Sequence, residues 1–340
     1  MTRPTETMQG GAGRWARRAV LALGLSMGSG GVPHAAEAPA VVGSITPIHS
    51  LVAGVMEGAG APHLIVRGGQ SPHTYSLRPS DAQALQDAAL VVWVGPELET
   101  FLAAPLDSLA GDARVLTLSD VEGLTLRPVR AGGHDHGHDH GAEDPHEDEH
   151  AHEDEHGHES AQGRVDPDRA DMHLWLDPVN AAAMTGAIAD ALAHADPDRA
   201  DLYQANADRM RADLSALTDE IDAMLAPVRD RPFVVFHDAY RYFEDRFGLT
   251  SAGSITVNPG TPPGAARLAE MQDALRDTGA VCVFAEPQFE PRVVDVVTEG
   301  TDVRAGVLDP LGTDLTPGAG LYPVLLRGLA ESVRDCLSGS

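Results

Sequence analysis

The sequence of 340 residues contains no lysine, few aromatic side chains and only two cysteines. Its 24 basic residues are all arginines, they face 51 acidic residues, and the formal net charge is −27. A chain this acidic is a poor partner for nucleic acids or anionic membrane surfaces, and multivalent cations suit it better. Because aromatic residues make up only 4% of the sequence, a folded core must consist mainly of Ala, Val, Leu and Ile.

The sequence also lacks the ~20 consecutive apolar residues that a membrane-spanning helix needs. The short apolar run Ala19–Met27 follows Arg14, Arg17 and Arg18 and precedes the small-x-small sequence at 36–38. This arrangement is typical of a cleaved secretory signal peptide. We therefore expect a mature protein without membrane spans that is exported to the periplasm.

The two cysteines, Cys282 and Cys336, are interpreted in the light of this export. An oxidising compartment favours a disulfide between them, although the sequence alone leaves two free buried thiols open. Two thiols without further ligands would make only a weak metal site.

Strand-like and helix-like segments alternate over most of the chain, which is the βαβ rhythm of a parallel sheet. One helical pattern that starts at Pro197 continues for about 28 residues, or roughly 40 Å. This length exceeds that of a crossover helix and suits a rod between two lobes. We predict an α/β protein with two lobes, each a parallel-type sheet flanked by helices, joined by one long rigid helix.

These patterns divide the chain into a signal peptide (1–38), an N-terminal α/β lobe (39–195), a linking helix (196–228) and a C-terminal α/β lobe (229–340). Residues 131–170, within the first lobe, are rich in histidine and acid and show no apolar periodicity. Such a composition cannot bury a core, so we expect a disordered insertion there.

Nine of the 16 histidines lie between residues 134 and 160, among 11 carboxylates and no basic residue. Imidazoles and carboxylates bind zinc, copper and nickel, but ordering a mobile segment costs about 1–2 kcal/mol per residue. We therefore expect several weak, unselective metal sites here, and a merely solubilising segment is the alternative. The histidines concerned are His134, His136, His138, His140, His146, His150, His152, His156 and His158.

Other metal-ligand candidates stand at the carboxyl ends of predicted strands, where parallel α/β folds bind their ligands. His73 follows a short strand, His237 ends another, and Asp309 ends a third; His173 begins the apolar segment after the acidic stretch. Three imidazoles and one carboxylate predict a metal centre. A histidine at a strand end is also commonly only hydrogen-bonded, so the pattern alone leaves both interpretations open.

Six stretches closely resemble the zinc-binding periplasmic proteins of ABC importers, the ZnuA family: SPHTYSLRPSD, DMHLWLDP, FHDAYRYFE, TVNPG, CVFAEPQF and LDPLGTD. They occur in the family's order, and the resemblance covers roughly residues 41–337. It implies a two-lobed protein with a rigid connecting helix that captures Zn²⁺. The ion would then pass to an inner-membrane permease powered by an ATPase.

The resemblance also implies roles for individual residues. The family's three zinc-ligand histidines correspond to His73, His173 and His237, and its candidate carboxylate ligand to Asp309. Some relatives have Glu before the first histidine, where this chain has Pro72, so the fourth ligand is Asp309 or a water. Related manganese-binding proteins carry a carboxylate at the position of His237, so an imidazole there favours zinc. The family's cysteine pair corresponds to the two cysteines here.

On this interpretation the protein is a monomeric binding protein with no enzymatic activity and no nucleic-acid partner. Two alternatives belong to other classes. A metal-storage protein or surface adhesin would have many equivalent weak sites. A zinc hydrolase would also use three histidines with an open position, but the sequence contains no His-Glu-x-x-His and no clear general base.

Overall fold

The computed structural model describes residues 38–130, 170–256, 264–289 and 292–339. The first part contains β1 (Val41–Gly43), α1 (Thr46–Val55), β2 (His63–Leu64), α2 (Pro79–Gln86), β3 (Leu90–Trp93), α3 (Thr100–Leu109) and β4 (Arg114–Thr117). Two helices follow, α4 (Pro178–Ala195) and α5 (Ala200–Leu225). The last part contains β5 (Phe233–His237), α6 (Arg241–Phe247), β6 (Ser251–Thr256), α7 (Ala265–Thr278), β7 (Cys282–Ala285), α8 (Arg292–Thr298), β8 (Arg304–Val307) and α9 (Leu321–Ser338).

The strands form two four-stranded sheets with the orders β2-β1-β3-β4 and β6-β5-β7-β8. Every neighbouring pair is parallel, so each connection crosses back over the sheet, in most cases through a helix. The central strands β1, β3, β5 and β7 are mostly buried, as their apolar sequences require. The predicted fold class is confirmed: two parallel sheets are flanked by helices.

The long helix α5 contacts helices that belong to both sheets. It packs against α1 and α4, which precede it in the sequence, and against α6 and α9, which follow it. Its buried side chains recur at helical spacing and include Tyr203, Ala207, Leu214, Leu217, Ile221 and Leu225. Its 26 residues span about 39 Å, which agrees with the predicted rod. The domain boundaries drawn from the sequence stay predictions.

One hydrophobic cluster of buried residues extends through both sheets and the helices between them. A disulfide joins Cys282, the first residue of β7, to Cys336 in α9, with the two Cα atoms 6.2 Å apart. The predicted disulfide is thus formed, and it connects the C-terminal helix to the second sheet. Among the described residues, none of the helices combines the length and apolar character that a bilayer span needs.

Candidate metal centre

Three histidines from different parts of the fold meet at one point. His73 lies in the loop after β2, His237 is the last residue of β5, and His173 precedes the short 3₁₀ turn Leu174–Leu176 that leads into α4. Their candidate ligand nitrogens all lie within 4.8 Å of one another. In the part of the chain that the structure describes, this is the one group of three or more such ligands close enough to hold a metal ion.

Carboxylates orient two of the three imidazoles. The Nδ1 atom of His237 lies 2.6 Å from Oε1 of Glu286, and Nδ1 of His173 lies 2.7 Å from Oδ1 of Asp171. Because a carboxylate can only accept, each Nδ1 carries the proton, and each Nε2 presents a lone pair to the centre. All four residues are buried, so these contacts are shielded from competing water.

Sheet register explains why Glu286 reaches His237 although the two residues are far apart in sequence. In the parallel pair β5 and β7, Val235 lies opposite Phe284. Two residues further along both strands, His237 and Glu286 follow at the same edge of the sheet. Asp171 reaches His173 by a local route, since it precedes that residue by two positions and also accepts its backbone N–H at 3.0 Å.

The distance between two of the ligand nitrogens suits zinc. Nε2 of His173 and Nε2 of His237 are 3.3 Å apart. Two nitrogen ligands of a tetrahedral zinc ion, each at 2.0–2.1 Å from the metal, lie about 3.3–3.4 Å apart. The ring of His73 is somewhat more distant. Its centroid lies 5.6 Å from that of His173 and 5.8 Å from that of His237, whereas the centroids of His173 and His237 are 5.1 Å apart. A small inward shift of His73 would therefore complete a three-nitrogen face.

The electrostatic environment differs between the histidines. Burial holds the pKa of His73 well below its ordinary value, and the neighbouring His173 and His237 lower it further. Burial alone would also lower the pKa of His237, but the charge and the hydrogen bond of Glu286 raise it overall. His73 is thus kept neutral, the form that binds a metal, whereas His237 holds a proton more firmly when the site has no cation.

The cavity at the three histidines is lined by both apolar and polar side chains, which come from segments that follow strands of both sheets. Trp175 contributes to it, and its indole N–H donates to the carbonyl oxygen of Pro310 at 2.8 Å. The remaining lining residues are Ser71, Pro72, Glu286, Gln288, Phe289 and Leu311, together with the three histidines.

Asp309, the predicted fourth ligand, is not in the group whose ligand atoms converge. Its carboxylate accepts hydrogen bonds from the backbone N–H groups of Leu311 and Gly312, each at 3.0 Å, and from Nε2 of Gln288 at 2.7 Å. The carboxylate therefore holds the turn after β8 in place. Asp309 as a zinc ligand stays a prediction, and this arrangement does not favour it.

Other residues singled out in the sequence lie elsewhere. The nine histidines between residues 134 and 160 and the signal peptide are outside the described residues. Asp171 was not identified as an orienting group from the sequence, although the Asp-x-His spacing is a signal for such a contact.

Comparisons with known proteins identify the family of this chain. The family model described as "ZnuA: Zinc-uptake complex component A periplasmic" matches residues 41–336. The chain belongs to this family. A Brucella suis protein named high-affinity zinc uptake system protein ZnuA is 49% identical over 311 residues, 89% of this chain and 93% of that protein. A Paracoccus denitrificans protein with the same name is 42% identical over 322 residues, 94% of this chain and 98% of that protein.

Solved structures of ZnuA-like proteins share the fold. A crystal structure of ZnuA superposes with a TM-score of 0.69 at 23% identity, over 88% of this chain and 99% of that one. The laminin binding protein of Streptococcus agalactiae, described as bifunctional with adhesin and metal transporting activity, superposes with a TM-score of 0.67. It is 25% identical, over 88% of this chain and 99% of that one. The ZnuA family is one of solute-binding transport proteins and not an enzyme family.

Proposed function

We propose that this protein captures Zn²⁺ in the periplasm with His73, His173 and His237 and delivers it to an ABC-type permease powered by an ATPase. The observation that carries the proposal is the pair of Nε2 atoms 3.3 Å apart, each with its opposite nitrogen bound to a carboxylate. Two lone pairs facing each other at this distance repel, and a cation between them converts the repulsion into two ligand bonds.

The charges around the centre fit a divalent cation. The three imidazoles are neutral when they bind, and Asp171 and Glu286 supply two negative charges behind them. A buried 2+ ion is thereby compensated without an anionic ligand, which makes its burial less costly. We therefore expect a water molecule in the fourth position, since Asp309 is bonded to its own turn and Pro72 offers no side-chain donor.

The test is a calorimetric zinc titration of the mature chain lacking residues 134–160. We expect one tight zinc ion per chain, no tight binding in the same chain with His173→Ala, and unchanged binding with His194→Ala. His194 is a matched control because it is an exposed histidine in the last turn of α4. If tight binding disappears when residues 134–160 are removed, that stretch is the receptor and the three-histidine assignment fails.

For the histidines between residues 134 and 160 we propose an accessory role, the loose collection of zinc near the tight site. Their removal should slow zinc acquisition when zinc is scarce and leave the affinity of the tight site unchanged. An unchanged rate of acquisition would contradict this role, and sensing of excess zinc would then be the role to examine.

The adhesin or storage alternative gains one specific observation, the adhesin activity in the description of the S. agalactiae protein. Binding stoichiometry separates storage from transport, because storage requires many equivalent sites. A zinc hydrolase would cleave generic ester or peptide substrates when saturated with zinc, and we expect no cleavage.

A further inference from the structure

Two segments flank residues 131–169 in the sequence, and they lie side by side. Residues 124–130 precede that stretch and residues 170–173 follow it. We call these two segments together the stalk. The second segment ends at His173, so the stalk carries one of the three converging histidines.

Backbone contacts join the two halves of the stalk. Pro128 and Ala170 form an antiparallel β-bridge, and the N–H of Asp171 donates to the carbonyl oxygen of Arg127 at 2.8 Å. Because Asp171 also orients His173, a displacement of residues 124–130 would be transmitted to that imidazole.

The stalk is attached to α6, the helix that follows His237. The hydroxyl of Tyr242 accepts the N–H of Arg127 at 3.0 Å and donates to the carbonyl oxygen of Asp171 at 2.7 Å. The guanidinium of Arg241 donates to the carbonyl oxygen of Pro128. One tyrosine thus connects both halves of the stalk to α6.

Arg130, at the end of the first half, adds an ionic connection. One guanidinium nitrogen donates to Asp238 and another to Glu244, and Asp238 is the residue directly after His237. The Glu244 side chain is only 2% exposed, so its charge is compensated by Arg130 and not by water. Arg130 is therefore hydrogen-bonded both to Asp238, the residue next to His237, and to Glu244 within α6.

We propose that Arg130 is a positioning residue for the metal centre, which fixes the stalk with His173 at the distance from His237 that a zinc ion needs. This inference rests on the proposed function. The imidazoles of His173 and His237 are each oriented by a carboxylate, but those contacts do not set the separation between the two rings. The separation depends on how the stalk lies on α6, and Arg130 supplies the most buried ionic link in that contact, beside the more exposed ion pair of Arg127 with Asp245.

The experiment measures zinc affinity by chelator competition, and zinc release into excess chelator, in the full mature chain. We expect Arg130→Gln to keep one zinc ion per chain with roughly ten-fold weaker affinity and faster release, the lower end of the effect of removing outer-sphere partners. Arg130→Lys, which keeps the charge but not the two-pronged geometry, should fall between this variant and the wild type. Arg327→Gln is the control, since it removes an exposed bidentate pair with Glu220 between α9 and α5.

A double variant separates positioning from simple charge compensation. Arg130→Gln leaves Glu244 buried and unpaired, which lowers the melting temperature of the zinc-free protein for a reason unrelated to zinc. Adding Glu244→Gln removes that unpaired charge, so the melting temperature should recover while the zinc affinity stays weakened.

Recovery of the affinity together with the melting temperature would overturn the proposal, and so would wild-type affinity in Arg130→Gln. If the wild-type chain itself binds no zinc tightly, the proposed function fails, which is a different result.

Discussion

Replacement of Glu286 by Gln should weaken zinc binding and change its dependence on pH. Glu286 is buried and lies 2.6 Å from Nδ1 of His237, so it orients the imidazole and supplies negative charge behind it. With the imidazole between them, the carboxylate would stand roughly 6 Å from a zinc ion. Even at the dielectric constant of water, one negative charge at that distance attracts a 2+ ion by about 1.4 kcal/mol.

An energy of this size corresponds to about a ten-fold change in affinity, and burial makes the interaction stronger. Mutations of groups that orient metal-bound histidines commonly cost 10–100-fold. We therefore expect Glu286→Gln to weaken zinc binding by at least ten-fold at pH 7.5, measured by competition with a chelator. Glu220→Gln on the exposed face of α5 serves as the control and should have no effect.

The pH dependence follows from the same contact. Glu286 raises the pKa of His237 against the effect of burial, so protons compete with zinc for this imidazole from a relatively high pH downward. In the zinc-free protein, the protonated pair adds stability below the ordinary histidine pKa of about 6.5, and this contribution is lost as pH rises through the raised pKa.

In Glu286→Gln the largest cause that raises the pKa of His237 is gone, and only the charges of Asp171 and Asp238 still oppose burial, so this pKa falls. The zinc affinity of the variant should then decline at a lower pH than that of the wild type, and the two curves should approach each other as the pH falls. Curves that stay parallel between pH 7.5 and pH 5, or a variant that binds zinc as tightly as the wild type at pH 7.5, would refute this reasoning.

Three further predictions concern stability and the fourth ligand. Burial raises the pKa of Glu99 to about 7, so the wild type should lose up to roughly 3 kcal/mol of unfolding free energy between pH 5 and pH 8, and Glu99→Gln should remove that loss in urea titrations. Replacing both Cys282 and Cys336 by Ala should lower the unfolding free energy by about 4 kcal/mol on the chain-entropy model, since the disulfide closes a loop of 54 residues. Asp309→Asn should lower the melting temperature through the turn that its carboxylate holds, but weaken zinc binding less than ten-fold in calorimetry; a loss as large as that of His173→Ala would identify Asp309 as a ligand.

Much of the fold could be predicted because its signals are local. The start of α4 is marked in the sequence itself, since Asp177 caps the helix by accepting the N–H of Val179 and Pro178 occupies its first position. Strand β6 has no comparable local signal. Its sequence, Ser251–Thr256, has only one large apolar residue, and it becomes a strand through pairing with β5, which is a tertiary effect.

The metal centre was predictable only in part. His73 and His237 could be selected because each lies at the carboxyl end of a strand, where parallel sheets bind their ligands. The two strands belong to different sheets, so the rule does not show that these side chains meet. The pairing of Glu286 with His237 depends on the register of β5 and β7, which the sequence does not reveal. Likewise, nothing in the sequence indicates that Arg130 bonds with Asp238 and Glu244, since more than 100 residues separate these partners.

The placement of the negative charges suits a protein that must give up its ion. In the proposed site, Asp171 and Glu286 would compensate a 2+ charge through the imidazoles without contacting the ion themselves. When the ion leaves, each carboxylate keeps its Nδ1–H partner, so no buried anion is left without a hydrogen bond. The remaining cost of the empty centre is the repulsion between the two Nε2 lone pairs, which a proton on His237 relieves. A carboxylate ligand would bind zinc more strongly but would lose its partner at each release, so orientation by carboxylates behind neutral ligands combines tight capture with a stable empty state.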